Sequence, residues 1–303
     1  MLPDTPGLLR DVVAIALRDA RPLDFVTLTK PRIVALILLT TAVGFYLGAT
    51  PATGLLLLVN TLVGTTLVAA GTNGLNQVAE WEWDGRMRRT RARPIPAGRL
   101  SAGAGAVFAW TVGLAGIAYL AAFVNGITAL LAGLTLLSYV FLYTPLKRKT
   151  SLATLVGAVP GALPVVGGWT AAGGVLGTPA WSLFWILFLW QLPHFLALSW
   201  MFREDYRRAG FKMLSVDDPD GRLTFRQATL YATALLPVSL VPALWGLVGR
   251  VYFFGAVALG VWFAWSAFRA TLDVSPARAR RLFLVSITYL PALFALLAVN
   301  KLG

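Results

Sequence analysis

Apolar residues along this chain are gathered into nine long runs separated by shorter polar segments. The runs cover residues 33–49, 55–78, 101–123, 127–145, 153–171, 181–202, 227–248, 251–270 and 282–300. A helix needs about 20 mostly apolar residues to cross the hydrocarbon core of a bilayer. Since the runs are close to that length, the pattern predicts an all-α, polytopic membrane protein with about nine transmembrane helices.

The first 29 residues have a different pattern. Charged side chains are spread among the apolar ones there: Asp4, Arg10, Asp11, Arg18, Asp19 and Arg21. This spacing favours an amphipathic helix on the membrane surface over a secretory signal peptide. We therefore predict a cytoplasmic amphipathic N-terminal segment over residues 1–29 and a single nine-helix transmembrane domain over residues 30–303.

Composition supports a membrane protein and removes several function classes. Hydrophobic residues make up 57% of the chain, and the mean hydropathy is +0.72. The chain has no cysteine, which excludes disulfides and thiolate metal sites. Its net charge of +13 would suggest nucleic acid in a soluble protein. Here the placement of the charges argues against a nucleic-acid partner.

The charged residues lie almost entirely on one side of the predicted membrane. The N-terminal segment and the loops after the second, fourth, sixth and eighth runs hold all 13 acids and every Lys and Arg except Arg250 and Lys301. By the positive-inside rule this side is cytoplasmic, so the N-terminus is inside and the C-terminus outside. Acidic residues add little to that rule, and their one-sidedness indicates active-site chemistry on the cytoplasmic face. Short outer turns with no room for charges explain part of the asymmetry.

The second apolar run ends in a charged cluster with helical spacing. Asn76, Glu80 and Asp84 recur at every fourth position and share one helix face, with Asn73 one turn earlier. Two carboxylates this close repel each other unless a cation lies between them, and Mg²⁺ bound to carboxylates, phosphate and water fits that need. Arginines such as Arg89 and Arg93 could bind the same phosphate bidentately. A solvated helix end is the structural alternative.

Basic residues at two other helix ends permit two interpretations. Tyr143 is followed by Lys147 and Arg148 at the end of the fourth run, and Lys30 and Arg32 precede the first run. On the charge pattern alone, ordinary topological anchors are the more probable interpretation. Binding of diphosphate or of a substrate carboxylate is the functional one.

Two further polar features lie in and after the sixth run. His194 is the only histidine and falls within the apolar run, where an ionisable group suggests function but a packed, hydrogen-bonded histidine is an equal alternative. Asp205 and Tyr206 open the next charged loop, and Asp205 could complete a second metal site. Spacing alone also allows an ordinary charged loop there.

These segments together resemble a known family. The pattern Asn76-x-x-x-Glu80-x-x-x-Asp84-x-x-Met87-x-Arg89-Thr90-x-x-Arg93-Pro94 is similar to the first signature of the protoheme IX farnesyltransferases (haem O synthases), within the intramembrane prenyltransferase (UbiA) superfamily. The resemblance extends to Thr29-Lys30-Pro31-Arg32, Tyr143-Thr144 with Lys147-Arg148, Pro193-His194-Phe195 and Asp205-Tyr206. Gln191, Leu192 and Lys212 depart from the family pattern, and no aspartate stands four residues after Asp205.

The resemblance implies a fold and an activity. The fold would place nine helices around a central cavity open to the cytoplasmic side. The activity would be Mg²⁺-dependent transfer of a farnesyl group from farnesyl diphosphate to the vinyl group of haem B, with water addition, giving haem O and diphosphate. Implied partners are these two substrates, the lipid bilayer and a downstream haem-modifying enzyme. Prenyl transfer to a quinone-precursor aromatic acid or chlorophyll-type acceptor is the alternative enzyme, and a transporter of an anionic substrate is the alternative class.

The resemblance also assigns roles to individual residues. Those expected to act in catalysis are Asn76, Glu80, Asp84, His194 and Asp205. The expected metal ligands are Asn76, Glu80, Asp84 and Asp205. The expected substrate-binding residues are Lys30, Arg32, Asn73, Arg89, Arg93, Tyr143, Lys147, Arg148 and Tyr206.

Overall fold

The structure is a computed structural model that describes residues 21–302, and α-helices make up most of it. Among these residues, nine helices are long and apolar enough to cross a membrane. They are α1 (Pro31–Gly48), α2 (Leu55–Asp84), α3 (Ala102–Phe123), α4 (Gly126–Leu146), α5 (Ala153–Ala171), α6 (Thr178–Met201), α7 (Arg222–Leu244), α8 (Arg250–Leu272) and α9 (Pro276–Val299). The predicted all-α membrane fold is therefore confirmed.

In the described part of the chain, three short helices lie outside the nine spans, at Pro22–Leu28, Arg203–Ala209 and Leu214–Asp217. In the first, Leu28 is fully buried and packs with Ile95 and Leu100 of the loop after α2. Asp24 of the same helix accepts a hydrogen bond from Arg99. The end of the N-terminal segment is thus fixed to the protein, whereas residues 1–20 of the amphipathic segment predicted over residues 1–29 lie outside the described residues.

Within residues 21–302, the nine spans form a closed succession, and two pairs that are not consecutive also pack together, α1 with α5 and α6 with α9. Each packs against the next along the chain, α9 also contacts α1, and α1 packs closely on α5. Because consecutive spans alternate in direction, the loops after α2, α4, α6 and α8 emerge on one face, together with the N-terminus of α1. These are the loops that carry most of the charge. A central cavity open to the cytoplasmic side stays a prediction.

Glycine allows α1 and α5 to cross at close range. A Cβ atom placed on Gly44 would lie 2.0 Å from the Val165 carbonyl oxygen, and one on Gly168 would lie 2.0 Å from that of Thr41. Apolar lipid supplies no hydrophobic drive to bring helices together, so small residues that permit close backbone contact stabilise such crossings. This contact joins two helices that are four spans apart along the chain.

Two helices depart from the sequence expectation at the ends that face the charged loops. The second predicted span ends at residue 78, but α2 continues through Asp84, because hydropathy follows only the apolar part of a helix that nothing interrupts before Gly85. In α4, a π-helical segment at Ser138–Tyr143 precedes the last α-helical turn, Thr144–Leu146. Single π turns often occur at functional sites.

Candidate active site

The extended end of α2 presents a row of buried polar side chains. Asn76, Glu80 and Asp84 are 2%, 5% and 1% exposed. This burial agrees with the prediction that the three side chains share one helix face. It contradicts the alternative, in which the end of the helix is simply exposed to solvent. Buried carboxylates are costly unless they are paired with cations and hydrogen-bonded.

Partners for the first two positions come from the start of α1 and the end of α4. The Lys30 ammonium donates to Asn76 Oδ1 at 2.9 Å, and Asn76 Nδ2 donates to Thr144 Oγ1 at 3.1 Å. Lys147 Nζ lies 2.7 Å from Glu80 Oε1, in an ion pair that lacks good hydrogen-bond angles. Helices distant in sequence therefore supply the cations that this row requires.

Only one of the two Asp84 carboxylate oxygens has a hydrogen-bond partner among the described residues. Arg93 donates to Asp84 Oδ2, and Thr90 donates to the Asp84 backbone carbonyl at 2.8 Å. Asp84 Oδ1 is buried and has no hydrogen-bond partner among the described residues. A free carboxylate oxygen one helical turn from the Glu80 carboxylate, with the Asn76 amide one turn further, is a donor set that suits Mg²⁺.

Lys30 is held in a strained backbone conformation. Its φ is 55° and its ψ is 66°, in the left-handed region that non-glycine residues seldom adopt. Such conformations cost about 1–3 kcal/mol and are concentrated at functional sites. Burial lowers the pKa of Lys30 to about 7, and the positive charges of Arg93 and Lys147 act in the same direction. The fold thus holds this ammonium against Asn76 in a site already rich in positive charge.

Lys147 is the second buried cation of the site. Burial is the largest single effect and lowers its pKa, but the Glu80 carboxylate, Tyr139 and Tyr206 together outweigh burial and raise the pKa above its ordinary value. The ammonium lies 4.4 Å from the centre of the Tyr143 ring. That ring rests on Gly157 of α5, where a Cβ atom would lie 2.5 Å from it. Tyr143 therefore supports Lys147 from the side of α5.

The charged loops after α2 and α6 meet above this row. Met87 packs with Phe211 and Met213 in one buried apolar cluster, and Trp83 and Tyr206 border it. The Lys212 backbone N–H donates to the Lys147 carbonyl at 2.7 Å, which joins the α6 loop to the end of α4. These contacts hold the loops after α2 and α6 together beside the end of α4.

The outer arginines lie on aromatic rings of the same region. The Arg148 guanidinium is 3.9 Å from the Trp83 ring centre, and that of Arg89 is 5.5 Å from the Phe202 ring centre. Cation–π contacts of this kind hold a guanidinium while leaving its N–H groups available. Both residues are exposed at the entrance to the row.

Asp205 is buried and pairs with Arg208 at 2.7 Å. Within residues 21–302, no three acidic, histidine or cysteine side chains form a group that could hold a metal. Asp205 therefore does not join Glu80 and Asp84 in one group here, and its role as a ligand stays a prediction.

His194 lies between α6 and α9. Its Nδ1 is 2.8 Å from Ser286 Oγ, and its ring stacks on Phe283 and Trp190 at centroid distances of 4.8 and 5.1 Å. The Ser286 backbone carbonyl also accepts a hydrogen bond from Trp190 Nε1. These contacts satisfy the packing interpretation, and a catalytic role for His194 stays a prediction.

The remaining two predicted site residues are Arg32 and Asn73, and two residues of the site are not predicted from the sequence. Arg32 is exposed, whereas Asn73 is buried and its Nδ2 has no partner among the described residues. Thr144 and Thr90 were not expected as site residues, although they orient Asn76 and the end of α2. Both stand inside the quoted motifs, but only the fold shows which atoms they contact.

Known proteins resemble this chain over most of its length. The model of the UbiA prenyltransferase family matches residues 37–295. A protoheme IX farnesyltransferase from Solibacter usitatus is 47% identical over 289 residues, covering 92% of this chain and 99% of that protein. One of the same name from Salinibacter ruber is 42% identical, covering 91% and 98%. The predicted resemblance to the protoheme IX farnesyltransferases is confirmed.

Solved structures share the fold at low sequence identity. A structure concerning digeranylgeranylglyceryl phosphate synthase has a TM-score of 0.78 and 14% identity, covering 91% of this chain and 97% of that one. A UbiA homolog from Archaeoglobus fulgidus bound to GPP and Mg²⁺ has a TM-score of 0.68 and 16% identity, covering 91% and 99%. Because the family model covers most of the spans and the relatives cover almost the whole chain, this protein belongs to the UbiA prenyltransferase family.

Proposed function

We propose that this protein transfers the farnesyl group of farnesyl diphosphate to the vinyl group of haem B, with addition of water, to give haem O and diphosphate. The observation that carries the proposal is the buried row of Asn76, Glu80 and Asp84 with cations at its edge. The relatives named protoheme IX farnesyltransferase, similar over nearly their full lengths, support haem B as the acceptor. Prenyl transfer itself follows from the family.

Mg²⁺ would be held by Glu80 and Asp84, with the Asn76 amide as a weaker ligand. The ion, when bound, neutralises the charge that develops on the departing diphosphate. The free Asp84 Oδ1 supports this choice, since a buried carboxylate oxygen needs a partner. The Mg²⁺ bound to the Archaeoglobus fulgidus homolog is consistent with it.

Positive side chains around the row would bind the diphosphate oxygens. Three basic side chains, Lys30, Lys147 and Arg93, surround the two carboxylates. Burial lowers the pKa of Lys30 to about 7, and a bound diphosphate would favour its charged form. Arg89 and Arg148 lie at the entrance and would contact the outer oxygens. Charge-assisted hydrogen bonds from preorganised donors stabilise the leaving group where its charge grows.

The apolar interior beyond Asn76 would shield the farnesyl cation from water until it meets the vinyl carbon. His194 is our candidate for contact with the acceptor. The Ser286 hydroxyl donates to the Phe283 carbonyl at 2.6 Å, so the short contact with His194 requires Nδ1 to be the donor. This tautomer leaves Nε2 with a lone pair, which suits proton acceptance or orientation of the porphyrin.

The full chain in detergent micelles, supplied with Mg²⁺, farnesyl diphosphate and haem B, provides the direct test. Mass spectrometry should detect haem O, and EDTA should abolish its formation. Glu80→Gln should lose activity by about 10²-fold or more, the usual effect of removing one electrostatic contact to the transition state. Glu82→Gln, on the exposed side of the same helix, is the matched control and should retain activity.

Two added measurements separate the alternatives: 4-hydroxybenzoate included as a second acceptor in the same mixture, and anion uptake by the protein reconstituted into vesicles. Prenylation of 4-hydroxybenzoate with unmodified haem B would identify a quinone-precursor enzyme instead. Uptake of an anion into vesicles without any prenylated product would identify a transporter. Turnover that EDTA leaves intact would reject the metal site.

We also propose that the active-site loops face the cytoplasm and that the C-terminus lies outside. The distribution of basic residues supports this orientation. Because the chain has no cysteine, a single cysteine introduced at Lys149 or at Arg250 can be tested with a membrane-impermeant maleimide on intact cells. Labelling at Arg250→Cys alone is expected, and labelling at Lys149→Cys alone would reverse the orientation. Contact with a downstream haem-modifying enzyme stays a prediction.

A further inference from the structure

A small cavity lies between α8 and α9, apart from the row on α2. Its volume is about 100 Å³, which is well above the ~10–15 Å³ that one water molecule needs. It is lined by Trp262, Trp265, Ser266, Arg269, Arg278 and Arg281. Its walls are the C-terminal end of α8 and the N-terminal end of α9. These ends lie on the same face of the protein as the active-site loops, so the cavity opens on that face.

The charges at this cavity are mostly positive. Arg278 pairs with Asp273 at 3.2 Å, which uses the one acid of the α8–α9 loop. Among residues 21–302, neither Arg269 nor Arg281 forms a salt bridge. Two guanidinium groups at one small cavity therefore remain without a protein counterion in the part of the chain that the structure describes.

Ser266 gives the independent sign that a ligand belongs there. Its side chain is buried, with 8% exposure, and lines the cavity, yet Oγ has no hydrogen-bond partner among the described residues. Hydroxyls within helices usually bond to a carbonyl three or four residues earlier, as Thr271 and Ser286 do here. Ser266 Oγ is thus a buried polar atom in the wall of the cavity that has no partner among the described residues, and a polar ligand could satisfy it.

The surroundings place that group at the level of lipid headgroups. Trp262 and Trp265 are exposed beside the cavity, and tryptophan is enriched at the membrane–water interface. The Arg269 guanidinium lies 5.8 Å from the Trp265 ring centre, so the ring holds it at the rim. Basic pockets between transmembrane helices on the positively charged side are a known form of anionic-lipid site.

We propose that this cavity binds the phosphate group of an anionic phospholipid, which Arg269, Arg281 and Ser266 contact at the α8–α9 junction. The lipid tails would lie along the outer surface of the two helices. The site is separate from the diphosphate site on α2 and does not depend on the proposed reaction.

Native mass spectrometry of the full chain in detergent tests this directly. Dioleoylphosphatidylglycerol, dioleoylphosphatidylcholine and inorganic phosphate are titrated separately against four proteins: wild type, Arg269→Gln/Arg281→Gln, Ser266→Ala and Arg280→Gln. Arg280 is the matched control, since it neighbours Arg281 but does not line the cavity. Ser266→Ala keeps every charge and removes only an unpaired hydroxyl, so it should fold normally.

Wild type and Arg280→Gln should bind phosphatidylglycerol alike and in preference to phosphatidylcholine. The double variant should bind it roughly 30-fold more weakly, given about 1 kcal/mol for each cation near the membrane surface. Ser266→Ala should weaken binding by about fivefold, the usual worth of one hydrogen bond.

Three results would overturn the proposal. They are equal phosphatidylglycerol affinity in wild type and the double variant, equal affinity of wild type for the two lipids, and saturable binding of inorganic phosphate that displaces phosphatidylglycerol. The last would make a free anion the ligand.

Discussion

The Glu80–Lys147 ion pair allows a test of how much two buried charges contribute to the stability of the protein when no substrate or metal is bound. Lys147→Met keeps most of the side-chain volume and removes the ammonium. Glu80 is then left buried in the protein, 5% exposed, without the cation 2.7 Å away. We expect a large loss of stability because a buried charge loses its counterion.

The magnitude follows from the geometry. At 2.7 Å and an effective dielectric constant of about 20, the Coulomb attraction is about 6 kcal/mol. Part of that attraction offsets the cost of burying the two charges. Removing one partner of a buried pair usually costs about 3–5 kcal/mol. Removing both charges together, in Glu80→Gln/Lys147→Met, should cost much less than the sum of the single changes.

Equilibrium unfolding in mixed micelles of mild detergent and dodecyl sulfate, in EDTA, measures these free energies. The double-mutant cycle isolates the interaction from other effects of each change. Lys149→Met is the control, because Lys149 is exposed two residues away. The reasoning fails if Lys147→Met matches this control, or if the two single effects simply add.

Three further outcomes are expected. Gly168→Ala should lower the free energy of unfolding by about 1–3 kcal/mol, as overpacking does. The adjacent Gly167→Ala should be near neutral because its Cβ would meet nothing within 4 Å, and unfolding measurements on both variants check the difference. The hydrogen bond from the Arg99 guanidinium lowers the pKa of the Asp24 carboxyl, so Asp24→Asn should reduce the melting temperature at neutral pH. The difference should begin to shrink below the ordinary pKa of 3.8 and vanish once the pH is below the lowered pKa of the folded state, and an equal deficit at neutral pH and at pH 3 would contradict it. His194→Ala should raise KM for haem B by about tenfold and leave KM for farnesyl diphosphate within about twofold, and parallel increases in steady-state assays would remove the acceptor role.

The sequence predicts the helices well because membrane helices follow a simple physical requirement. Nine apolar runs near the thickness of a bilayer lead directly to nine spans. The same requirement explains why the predicted second span ends too early, at residue 78. Hydropathy marks only the apolar part of α2, whereas the helix itself continues through Glu80 to Asp84 at the polar surface. Helical spacing of the acids was visible, so their common face was predictable without a structure.

The partners of those acids were less accessible from the sequence. Lys30 and Lys147 stand at basic helix ends in the sequence, and their charge alone favours a role as topological anchors. Their contacts with Asn76 and Glu80 depend on which helices adjoin, and no local pattern carries that information. Thr144 was missed for the same reason. The burial of Lys30 in a left-handed backbone conformation is likewise a product of tertiary structure.

The π-helical turn at Ser138–Tyr143 sets the angular position of everything that follows it in α4. A π turn accommodates one more residue than an α-turn, and one residue corresponds to about 100° of rotation around a helix. Without that extra residue, Thr144 and Lys147 would point roughly a quarter-turn away from Asn76 and Glu80. Deleting a single residue from this segment should therefore uncouple α4 from α2 while every membrane span remains long enough. Catalytic alignment in this protein then depends on the length of a six-residue stretch that itself carries no charge.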